Sequence, residues 1–131
     1  MLATLLFLLA AEPDVVVSRS AAIPGIERIL KADNLDVDGL APQEIAAAMR
    51  DIRQGAAPRD FWVAYQAHVR AWSDYAAGLD AAAKRQPGEP PPAGSEWAVG
   101  EARTHINATF DTVERLARTR GATIPLPRTR I

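Results

Sequence analysis

"PRDFWVAYQAHVRAWSDYAAGL", from Pro58 to Leu79, decides the fold. At 100° per residue, Phe61, Tyr65, His68, Trp72, Tyr75 and Leu79 fall within an arc of about 80°. Trp62, Val69 and Ala76 widen that arc on one side, Ala64 and Ala71 on the other, while Gln66, Arg70 and Asp74 lie opposite. The chain has three Trp, two Tyr and three Phe, and five of these eight aromatics sit between Phe61 and Tyr75. A face this wide needs more than one neighbour to cover it. The spacing therefore predicts a central helix in an all-helical domain.

The neighbours follow from the flanking sequence. "PQEIAAAMRDIRQ" (Pro42–Gln54) places proline and acid at a helix start, with Ile45, Met49 and Ile52 as its buried stripe and Gly55 as its stop. Upstream, "IPGIERILKAD" spaces Ile26, Ile29 and Leu30 for a helix of two to three turns. Downstream, the prolines of Lys84–Gly94 forbid helix continuation and turn the chain. Ser95 suits a cap, and Ala102, Ile106, Thr109, Val113, Leu116 and Ala117, with Phe110 at the edge, form a last stripe ending at Gly121. Asp111–Arg115 and Glu114–Arg118 are spaced for ion pairs along that helix. The expected fold is an all-α, small antiparallel bundle of three main helices plus a short N-terminal helix.

Composition narrows the function classes. The chain has 131 residues, a net charge of −1 and a pI near 6.1, so no global field recruits nucleic acid. Apolar residues make up 48%, much of it alanine, which predicts a thin core filled by a few large side chains. With no cysteine, disulfides, thiolate zinc sites and c-type haem attachment are excluded. "MLATLLFLLAAEP" is too short for a membrane span but fits the apolar core of an export signal, with a cut after Ala11. The organisation expected is a signal peptide over 1–11, an extended leader over 12–22, a bundle over 23–121 and an extended basic tail over 122–131. The tail's arginines include Arg128 and Arg130. Location is expected to be periplasmic or secreted, with no stable span after signal removal and the protein partner and oligomeric state left open.

Three groups of residues are candidates for a site. "DNLDVDGLAPQE" (Asp33–Glu44) puts Asn34, Asp36 and Asp38 at alternate positions before Gly39, as a calcium loop does. Counted from Asn34, however, the twelfth position is Ile45, and Glu44 falls one residue, or about 100°, away from the bidentate role. A solvated connection into the next helix is the favoured reading, with weak calcium binding over 34–44 as an alternative. His68, inside the aromatic stripe, is a metal or haem candidate with His105 as its only possible histidine partner; packing is the favoured role. The two histidines match in height only if the central helix ends near Leu79. Tyr65, Trp72 and Tyr75 are candidates for an apolar groove. No catalytic constellation and no cofactor are assigned. The asparagine sequon at Asn107–Thr109 falls mid-helix.

"PRDFWVAYQAHVRAWSDYA" together with "HINATFDTVERLARTRGA" resembles a pattern in small exported helical proteins of bacteria that have no assigned activity. The matching positions are Pro58, Asp60, Phe61, Ala64, Tyr65, His68, Ala71 and Trp72, then Ile106, Thr109, Phe110, Val113 and Glu114. The resemblance implies location and fold, and carries no site. The function expected is a non-enzymatic exported domain with a binding or envelope role; the alternatives are a metal or haem bundle using His68 and the weak calcium loop.

Overall fold

A computed structural model describes residues 21–90 and 95–125. The export signal, the leader up to residue 20, residues 91–94, the side chain of the expected cap Ser95, and Arg128 and Arg130 lie outside the described residues. Four helices follow one another: α1 over 21–33, α2 Pro42–Arg50, α3 Arg59–Ala83 and α4 Ser95–Thr119. No strand occurs among the described residues. Three main helices and a short one are present, but the short one is α2, with nine residues, and not α1.

Two local causes account for the difference. Helix α1 takes in residues 21 and 22 and passes through Pro24, whose fixed φ suits the helical conformation. Helix α2 stops four residues before the expected end. The amides of Asp51 and Ile52 donate to the carbonyls of Ala48 and Met49 at 3.3 and 3.2 Å, which tightens the last turn. The Arg28 guanidinium then donates to the Arg53 and Gln54 carbonyls at 2.5 and 3.1 Å, holding that stretch outside the helix.

Helix α3 is central, as its width predicts. Its buried residues are Phe61, Tyr65, His68, Val69, Ala71, Trp72 and Ala76, and it packs on both α2 and α4. From α1 come Ile26, Ile29 and Leu30, from α2 Ile45, Ala46 and Met49, and from α4 Ile106, Val113 and Ala117. Contacts between α3 and α4 run down one helix as they run up the other: Asp60 meets Arg120, His68 meets Thr109, and Tyr75 shares a cavity with Ala102. Gly25 sets the approach of α1. A Cβ there would lie 2.7 Å from the Ala57 nitrogen and 2.8 Å from the Ala56 carbonyl carbon, so only glycine lets α1 rest on the α2–α3 connection.

Helix α4 ends as its glycine foretells. Gly121 has φ +83°, its amide donates to Arg118 and that of Ala122 to Ala117, both at 3.0 Å, the paired bonds of a Schellman closure. The chain then turns onto α1, where the Thr123 amide donates to the Glu27 carboxylate at 2.7 Å and Ile124 packs against the core. This part of the expected tail is bound to the bundle. Arg118 pairs with Glu114 at 3.1 Å, as its spacing predicts.

Candidate functional site

The interior holds a row of polar side chains set among the large apolar ones. Asp33 is 2% exposed, and the Tyr65 hydroxyl donates to its Oδ1 at 2.9 Å. On the helical wheel Asp33 continues the α1 stripe of Ile26, Ile29 and Leu30 at the seventh position, so the helix itself carries it inward. Such a carboxylate is stable only if hydrogen-bonded. One turn along α3 from Tyr65, His68 is 0% exposed, with Nδ1 2.8 Å from the Thr109 hydroxyl. That hydroxyl oxygen also lies 3.0 Å from the carbonyls of His105 and Ile106. With its hydrogen on either carbonyl, Thr109 accepts a hydrogen bond from Nδ1–H. The ring is flanked by Tyr65 and Phe110, with centroids at 6.4 and 5.3 Å.

His105 does not share this position. It is exposed, and α3 runs four residues beyond Leu79, so that Thr109, one turn past His105, is the residue that meets His68. Among the described residues, no group of three His, Asp or Glu is placed to hold a metal ion.

The acidic loop turns its ligating atoms on itself. Asp36 Oδ1 accepts the amides of Asp38 and Gly39 at 3.1 and 3.0 Å, and its carbonyl accepts that of Leu40 at 3.0 Å. A Cβ on Gly39 would fall 2.2 Å from Asp36 Oδ2, so the glycine makes room for the carboxylate. Glu44 folds back to accept the Ala41 amide at 3.2 Å, a helix-start contact, and does not face the loop. Asn34 and Asp38 are exposed.

The three aromatics named for a groove separate. Tyr65 and Trp72, at 0% and 2% exposure, are core. Tyr75 is half-buried, its ring at 6.0 Å and 78° to Trp72, and it lines an open cavity of about 290 Å³ between α3 and α4. The other lining residues are Asp74, Gly78 and Ala82 from α3, and Ala98, Val99 and Ala102 from α4. The cavity follows from residue size. Beyond Tyr75 the described lining positions of both helices carry glycine, alanine or valine, and none of these side chains is long enough to fill the gap. A Cβ on Gly78 would meet nothing within 4 Å. Three features escaped the sequence reading: Asp33, the Thr109 bond and this trough. The first was signalled by its place on the α1 stripe, the last by the run of small residues after Tyr75.

These placements define a small all-helical domain with a polar row enclosed in its core and an apolar trough open at one end. No protein family, curated protein or solved structure matches the chain. No helix among the described residues is long and apolar enough to cross a membrane.

Proposed function

We propose that this protein is an exported, non-enzymatic helical domain that binds a slim apolar ligand in the trough between α3 and α4. The observation that carries the reading is the cavity beside Gly78, apolar on both walls and open to solvent. Ligand sites are concave and mostly apolar with a few polar groups, about 300–1,000 Å³ in volume, and this one stands at the small end. The polar side chains inside the bundle support a binding role over a catalytic one, because His68 and Tyr65 already hold Thr109 and Asp33. The same enclosure of His68 weighs against metal or haem. The closed contacts of Asp36 and Glu44 weigh against calcium. Export rests on the apolar run before Glu12.

The neutral fluorophore N-phenyl-1-naphthylamine tests the trough. The parent is expected to bind it with a rise in emission, and Gly78→Leu and Ala102→Leu, which fill the space from opposite walls, are expected to lose it. Unchanged binding in both variants would refute the reading. Export is tested by fractionating a bacterial host and sequencing the N-terminus. A mature chain starting at Glu12 in the periplasmic fraction is expected; a full-length cytoplasmic chain refutes export.

A further inference from the structure

We infer that the trough selects organic cations, that is, an ammonium group carried on a short apolar body. This rests on the binding role proposed above and adds the charge of the ligand's head. Among the described lining residues Asp74 is the charged one, exposed at the rim and next in sequence to Tyr75. Neither the Asp74 carboxylate nor the Tyr75 hydroxyl makes a hydrogen bond or ion pair with any described residue. Arg70, one turn earlier on α3, is exposed and forms no ion pair with Asp74, and Lys84, toward the far end, is held by Asp80 at 2.9 Å. The trough therefore offers an uncommitted carboxylate and an aromatic ring above a floor whose other described residues are uncharged. A carboxylate there repels anions and attracts an ammonium, and a tyrosine ring adds cation–π attraction. The alanine and glycine floor takes the apolar body without hydrogen-bonding demands.

Gly78 adds an independent reason to read the trough as a binding site. In the middle of a 25-residue helix, glycine costs about 1 kcal/mol relative to alanine. Here there is room for the larger side chain, so packing does not require the glycine. The glycine leaves that part of the lining without a side chain.

Three ligands with the same tail separate head charge from apolar fit: octylammonium, octanol and octanoate, each displacing N-phenyl-1-naphthylamine from the intact protein at neutral pH. Octylammonium is expected to displace the fluorophore at about tenfold lower concentration than the other two. Asp74→Asn, an exposed change that leaves the fold intact by circular dichroism, should remove that preference and leave octanol unchanged. Equal displacement by octylammonium and octanol, both lost in Gly78→Leu, overturns the cation inference and leaves the apolar trough standing. A preference that survives Asp74→Asn also overturns it. If the parent binds neither the fluorophore nor octanol, the trough reading falls, and the cation inference with it.

Discussion

Three single residues carry tests of opposite sign. Gly25→Ala must push a Cβ into the backbone of Ala56 and Ala57, which cannot swing aside, and should cost about 1–3 kcal/mol in a urea melt. Gly78→Ala meets open space and should instead stabilise by about 0.5–1 kcal/mol. Tyr65→Phe deletes the hydroxyl that donates to buried Asp33 and is expected to cost about 1–3 kcal/mol. A Tyr65→Phe melt indistinguishable from that of the parent would show the bond to be dispensable. At this scale the sequence was readable where a residue's neighbours lie within a few turns. Phe61, Tyr65, His68 and Trp72 are buried as the wheel requires. The partner of Asp33 lies 32 residues away, and that of His68 lies 41 away. No local pattern encodes either pairing, although the core-side position of both residues made a partner necessary.

Among the elements, α3 and α4 were legible because each repeats its stripe over 25 residues, while α2, at nine, does not fix its own end. The stretch just past its end is held by Arg28, a residue of another helix. The junction of the α3 start with the α4 end can be followed by pH. Arg120 donates to Asp60 Oδ1 at 2.9 Å, and that hydrogen bond, with the Phe61 amide assisting, holds the Asp60 carboxyl below its ordinary pKa. A folded-state pKa lower than the unfolded one means stabilisation present above the usual carboxylate range, near 4, and lost as pH falls through the lowered value. Both side chains are about half exposed, so the contribution is a few tenths of a kcal/mol. Carboxyl chemical shifts should show Asp60 titrating below the usual range in the parent and closer to it in Arg120→Gln. An identical midpoint in the two proteins would show that Arg120 does not set it.

For the molecule as a whole, a thin alanine-rich core was foreseen and is present, with Tyr65, Phe61, Met49 and a set of isoleucines supplying its bulk. What composition did not reveal is where that thinness leaves a gap. The trough exists because small residues on two helices face each other, and only the paired arrangement of α3 and α4 brings Gly78 and Ala82 opposite Ala98 and Ala102. Residues 122–125 belong to the structure as well. Removing everything after Gly121 strips the Ala122–Ala117 bond, the Thr123–Glu27 bond and the packing of Ile124, and should lower stability by about 1–3 kcal/mol. An unchanged melting temperature would refute that.

The bond between Thr123 and Glu27 brings the first and last described segments side by side, with Gly121 next to Ile23. A short glycine–serine bridge from Pro125 to residue 21 could therefore close the backbone into a ring. Cutting that ring in the exposed turn at Gln86–Glu89 would give a circular permutant whose ends follow the last turn of α3. Such a protein should fold with the same helical spectrum and display its new termini just past the end of α3, ready to carry a reporter.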